Sequence, residues 1–115
     1  MAVVGADTHQ TLSGVATGDV SLLEEVLGLR EAQKEANGLD PRTFALVKIA
    51  ALIALDAPPA SYAWQVGNAL NEGVSPEDIL ATLRAIAPQV GAPKVVAAAP
   101  ELMLALGLDL PENFA

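Results

Sequence analysis

The segment "DPRTFALVKIAALIAL", Asp40 to Leu55, constrains the fold more than any other stretch of the chain. Asp40 is an N-cap acceptor and Pro41 suits the first helical position, where a missing N–H costs nothing. Thr43 to Leu55 then run almost wholly apolar, with Lys48 the single interior charge. A helix that is apolar on every side needs neighbours on every side, so this one is predicted at the centre of a helical domain. At 115 residues the chain makes one domain that buries roughly two-thirds of its unfolded surface. Hydrophobic residues make up 52%, yet Phe44, Tyr62, Trp64 and Phe114 are the only aromatics. The apolar mass is Ala, Leu and Val, which favours closely packed helices over a β-sandwich. That mass exceeds what one small core hides, and assembly with further copies is the natural way to cover it.

Other helices follow from local signals. Residues 1–18 show no sustained period and read as an N-terminal arm, mobile or laid on a neighbouring subunit; 19–115 read as a single helical domain. Asp19 caps a helix with Glu24 and Glu25 in its first turn and Val20, Leu23, Val26 and Leu27 as its stripe. Gly28 is a candidate break, Leu29 to Ala36 continue it as a polar segment, and Asn37-Gly38 stops it. A further helix begins near Pro58 or Pro59 and ends at Asn71, before Gly73. "SPED" opens the next: Ser75 caps, Pro76 enters the first turn and Asp78 completes a capping box. Ile79, Leu80, Leu83, Ile86, Ala87 and Val90 form its inward stripe. Pro88 to Lys94 read as a turn. The last helix runs from about Pro93 to Leu106, possible bend at Pro100, stop at Gly107. Val95, Val96, Ala99, Leu102, Met103 and Leu106 are its apolar side, and "LDLPENFA" docks loosely after it. The expected fold is all-α, a compact bundle of about five to six helices.

Charge and composition exclude several function classes. A net charge of −8 with six basic residues is a poor match for nucleic acid or an anionic membrane. With no cysteine, the chain has no disulfide, thiolate metal site or thiol mechanism. The N-terminus lacks a basic start and a long apolar run, so no signal peptide is expected. Apolar stretches fall short of the ~20 residues that span a bilayer, and a cytoplasmic location is the default. Clustered metal ligands, a phosphate loop and a dinucleotide-binding glycine motif are all missing, so no metal and no cofactor are expected. His9 is the only histidine, and a Ser-His-Asp triad would have to draw it from the arm.

Candidate chemistry gathers on the helix after Pro58. Ser61, Gln65, Asn68 and Glu72 stand four, three and four residues apart and share one face, with Trp64 beside it. Tyr62, Ala63, Val66, Ala69 and Leu70 supply apolar surface. One reading is a solvated face of an amphipathic helix; the other is a small pocket formed by Ser61, Trp64 and Gln65 with a partner subunit. Lys48 also has two readings. It reaches solvent or pairs with a carboxylate, or it is a desolvated electrophile or base.

"LDPRTFALVKIAALIAL", "WQVGNALNEGVSPEDILATL" and "APQVGAPKVVAAAPEL" together resemble the carboxymuconolactone decarboxylase family, relatives of the alkylhydroperoxidase D-like proteins, over about Leu39 to Leu108. The markers are the Leu-Asp-Pro helix start, the Ala-Leu-Asn-x-Gly ending and the Ser-x-Glu-Asp cap, in that order and spacing. The resemblance implies helical hairpins assembled into trimers or hexamers, with the active site between helices near subunit contacts. The alkylhydroperoxidase branch carries Cys-x-x-Cys-x-x-x-His at the start of the equivalent helix. Here Pro58 and Ser61 stand in the cysteine places and Gln65 in the histidine place, so thiol peroxidase chemistry is excluded. Decarboxylase members usually keep the histidine, and often a glutamate in the preceding helix, where this chain has Ala45 or a neighbour. For the family's decarboxylation, Gln65 could orient a carbonyl, Ser61 could donate a hydrogen bond and Lys48 could hold a carboxylate. These three are the catalytic candidates; Ser61, Trp64, Gln65 and Asn68 are the binding candidates. Gln65 cannot move a proton near neutral pH. The expected function is a cofactor-free decarboxylase-like protein binding a small, partly apolar acid or lactone; its rival is a non-catalytic ligand-binding or structural homo-oligomer.

Overall fold

Helix boundaries in the computed structural model fall at the chain's own punctuation. It describes residues 3–19, 21–22 and 37–114, and the chain divides into two compact units, Met1–Gly38 and Leu39–Ala115.

In the first unit, α1 spans Ala6–Thr17 and buries no residue. α1 leaves no period in the sequence, because periodicity reveals a helix through its buried stripe and α1 has none. Gly18 ends it at φ 75°, with Asp19 N–H donating to Gly14 O at 2.8 Å. A Cβ at Gly14 would overlap the end of the Leu22 side chain, which would have to move to make room for it. Asp19 acts as expected for a cap, its Oδ1 accepting from Leu22 N–H at 3.1 Å. The stripe, glutamates and break assigned to Val20 and to Leu23–Ala36 lie outside the described residues.

The second unit holds four helices: α2 (Pro41–Leu55), α3 (Pro59–Asn71), α4 (Pro76–Val90) and α5 (Ala92–Ala105). α2 packs on α3, α4 and α5; α5 also packs on α3 and α4. The helices thus form a four-membered array with α2 and α5 meeting across its middle. Ala45, Ile49 and Ile53 of α2 join Tyr62, Val66 and Ala69 of α3, Ile79 of α4 and Ala98 and Leu102 of α5 in one core. The predicted central place of α2 holds. Its surroundings are less complete than an all-round apolar helix requires, because Val47 and Leu55 are exposed.

Both predicted caps form. Asp40 Oδ1 accepts from Thr43 N–H at 2.8 Å, and Ser75 and Asp78 make the reciprocal box, each side chain accepting from the other's backbone N–H at 3.1 Å. Arg42 Nη2 then reaches Asp78 Oδ2 at 2.7 Å, which ties the start of α2 to the start of α4.

Two expectations need correction. Pro88 to Lys94 are not a turn: α4 continues through Pro88 to Val90, and Gly91 alone, at φ 86°, separates it from α5. A proline inside a helix removes the donor to the carbonyl four residues back. That carbonyl belongs to Arg84, an exposed residue, so solvent can replace the donor. The stripes also differ. Val96 is exposed and Ala98 buried on α5, while Leu80 of α4 and Ala63 and Leu70 of α3 face outward.

Candidate functional site

α3 starts on Pro58-Pro59 without a side-chain cap; Ser61 N–H donates to Pro58 O at 3.0 Å instead. It ends where Gly73 turns at φ 82° and Val74 N–H returns to Ala69 O. Tyr62, Val66 and Ala69, at i, i+4 and i+7, form the buried stripe. The stripe places the polar residues beside the core and not opposite it. Ser61, Trp64, Gln65, Asn68 and Glu72 are all half-buried, whereas the exposed positions of α3 are Pro59, Ala63, Leu70 and Asn71.

Atoms on this polar face are withdrawn from solvent. Trp64 Nε1, Gln65 Oε1 and Asn68 Nδ2 are each buried, and Gln65 Oε1 and Asn68 Nδ2 make no hydrogen bond. A buried polar group without a partner costs about 1–3 kcal/mol, so two of them within one turn of one helix are a feature that needs a cause.

Tyr62, counted from sequence only as apolar surface, is the polar residue that fixes α3. Its ring is buried and its hydroxyl donates to Leu52 O at 3.2 Å. The same carbonyl accepts Ala57 N–H at 3.1 Å in the turn after α2. Asp56 makes that turn possible at φ 56°, the left-handed conformation that Asp adopts more readily than most side chains. Burial, with Asp56 and Glu101 adding their negative charge, pushes the Tyr62 phenol above its ordinary value and keeps it neutral. No sequence pattern marks this contact, because the partner is a main-chain carbonyl ten residues away.

The other candidates are distributed. Lys48 lies on α2, half-buried, with Nζ 4.5 Å from the centre of the Phe44 ring one turn earlier. Ala45, which the resemblance sets at or next to a glutamate position of decarboxylase members, is a core residue with no group to exchange a proton. His9 is exposed on α1. Among the described residues no cluster of three or more His, Asp or Glu could hold a metal ion. Two apolar grooves run elsewhere: one of about 320 Å³ between α4 and α5, lined by Leu80, Leu83, Leu102, Met103, Leu106 and Leu108, and one of about 370 Å³ between α2 and α4, lined by Leu46, Val47, Ala50 and Ile86 among others. Neither includes Ser61, Trp64, Gln65 or Asn68.

Among the described residues no helix is long and apolar enough to cross a membrane. Comparison with curated proteins and with solved structures finds no match. A family comparison does: residues 21–102 match the carboxymuconolactone decarboxylase family. That span takes in α2, α3, α4 and most of α5, with the polar face of α3 in its middle, and the helical array is the alkylhydroperoxidase D-like one expected of it. The chain therefore belongs to the carboxymuconolactone decarboxylase family.

Proposed function

We propose that the chain is a cofactor-free binding protein for a small, partly apolar acid or lactone, held on the face of α3 that carries Ser61, Trp64, Gln65 and Asn68. The observation that carries this reading is the pair of buried atoms without a hydrogen bond, Gln65 Oε1 and Asn68 Nδ2. An undissociated acid would satisfy both, its O–H donating to Gln65 Oε1 and its carbonyl oxygen accepting from Asn68 Nδ2, whereas a lactone would meet Asn68 alone. Trp64 would supply apolar contact area. Ser61 is placed one turn from Gln65 on the same face and adds a hydroxyl.

Decarboxylation of a lactone acid needs a sink for the electrons of the breaking C–C bond and a proton for the carbanion left behind. Gln65 can polarise a carbonyl as a hydrogen-bond donor but supplies no proton. A thiol step is closed to this chain, which has no cysteine. Gln65 at the histidine place thus favours a second reading, a family member that binds its ligand without turning it over. Following the ultraviolet absorbance of carboxymuconolactone at high protein concentration separates the two. Loss of the absorbance, abolished in Gln65→Met, supports catalysis; an unchanged spectrum together with saturable binding rejects the inherited reaction and leaves the binding role.

A further inference from the structure

Gln65 and Asn68 are three residues apart on α3, so their Cβ atoms stand about 5–6 Å apart on one face. The buried atom of Gln65 is an oxygen, an acceptor only; that of Asn68 is a nitrogen, a donor only. Neither atom has a hydrogen bond. An acceptor and a donor without partners on one helix face are complementary to one kind of ligand edge, a donor next to a carbonyl. We propose that the Gln65–Asn68 couple reads a neutral –C(=O)–XH edge, as carried by a lactam or other cis-amide and by an undissociated carboxylic acid. The ligand's N–H or O–H donates to Gln65 Oε1, and its carbonyl oxygen accepts from Asn68 Nδ2–H. This deepens the binding role proposed above and rests on it.

The arrangement ranks ligands that share a shape. A lactam fills both positions. A lactone of the same ring size accepts from Asn68 but has no proton for Gln65, whose oxygen then stays buried and unmet. An ionised carboxylate brings only acceptors and sets its charge against the Gln65 oxygen. Turning both side-chain amides over exchanges their roles, and the same edge then binds in the opposite sense. A mismatched partner at a buried polar group weakens binding about ten- to hundredfold.

The test is a calorimetric titration of the full chain with δ-valerolactam, δ-valerolactone and valerate, the last across a range of pH. The lactam is expected to bind at least about tenfold more tightly than the lactone, and valerate to weaken as the pH rises through its own ionisation. Gln65→Met should bring the lactam down to the lactone's affinity and leave the lactone unchanged. Should that variant fold poorly, the lactam-to-lactone ratio of the native chain decides alone. Equal or tighter binding of the lactone, or of ionised valerate, overturns the edge reading while leaving a ligand site on α3. Binding of none of the three overturns the site itself.

Discussion

At Gln65 stability and binding are set against each other. Its buried oxygen is desolvated without a hydrogen bond, a cost a thioether of similar length avoids. Gln65→Met is therefore expected to raise stability by about 1 kcal/mol while lowering the affinity for the lactam to that for the lactone. Urea denaturation followed by circular dichroism reads the first, calorimetry the second; a variant less stable than the native chain would show the oxygen to be satisfied. Tyr62 behaves oppositely, since both its ring and its hydroxyl serve the fold. Tyr62→Phe deletes only the bond to Leu52 O and should cost about 1 kcal/mol. Tyr62→Ala empties a core position and should cost about 3–5 kcal/mol. The pH sign follows from the raised phenol. A group protonated more firmly in the folded state stabilises fully below its unfolded pKa and loses that stabilisation as pH climbs through the folded one. Because Tyr62 is the only tyrosine, tyrosinate absorbance reports it alone. Its titration should lie above that of free tyrosine and coincide with loss of helicity; an ordinary titration in the folded chain would contradict its burial.

Helix starts are where elements are joined. Asp78 closes the box of α4 with Ser75 and pairs with Arg42 at the start of α2. The Ser75 N–H, and after it the Arg42 guanidinium, hold its carboxyl below the ordinary carboxylate range; Thr43 does the same for Asp40. For a depressed carboxyl, stabilisation is present above the unfolded pKa and lost as pH falls through the folded one. Asp78→Asn should therefore lower stability at neutral pH, and its difference from the native chain should shrink as pH drops below about 4. A pH-independent difference would assign the effect to packing. Ser75→Ala should cost about 1 kcal/mol at any pH where Asp78 is ionised. These starts were legible because a cap is a local code: Asp40-Pro41 and Ser75-Pro76 carry it within four residues. Faces were less legible. α5, "APKVVAAAPELMLA", is apolar nearly all round, so spacing could not choose Ala98 over Val96; close packing against α2 and α3 selected the smaller side chain. Pro88 reads as a break because a sequence does not show that Arg84, whose carbonyl it orphans, is an exposed residue. On α3 the spacing of Ser61, Gln65 and Asn68 was legible, but whether solvent reached it depended on which side Tyr62 and Val66 buried. Lys48, grouped with Ser61 and Gln65 for its chemistry, comes from another helix, and its seat over Phe44 follows from their i, i+4 spacing.

For the whole molecule, the apolar excess in the composition reappears as surface. Leu80, Leu104 and Leu108 are exposed around α4 and α5, and Val47 and Leu55 on α2. Leu80 and Leu108 also line the α4–α5 groove, and Val47 lines the α2–α4 groove, so these residues border concave apolar surfaces large enough to receive side chains. Burying one such side chain completely contributes about 1.5–3 kcal/mol, and several per chain would offset the entropy of association. We expect the chain to assemble with copies of itself, as a trimer or larger, through one or both grooves. Multi-angle light scattering measures this directly, and a monomer at micromolar concentration would contradict it. Leu80→Glu places a charge at the rim of the α4–α5 groove without disturbing the buried stripe of α4, where Ile79 is the enclosed residue. If that groove is the interface, the variant should elute at a lower mass with unchanged helicity. Retained mass in Leu80→Glu and loss of it in Val47→Glu would assign assembly to the α2–α4 groove. Ligand binding in the dissociated variant then decides whether the α3 face is complete within one chain: unchanged affinity for the lactam places every binding group on α3 and its own neighbours, and lost affinity assigns part of the site to a second copy.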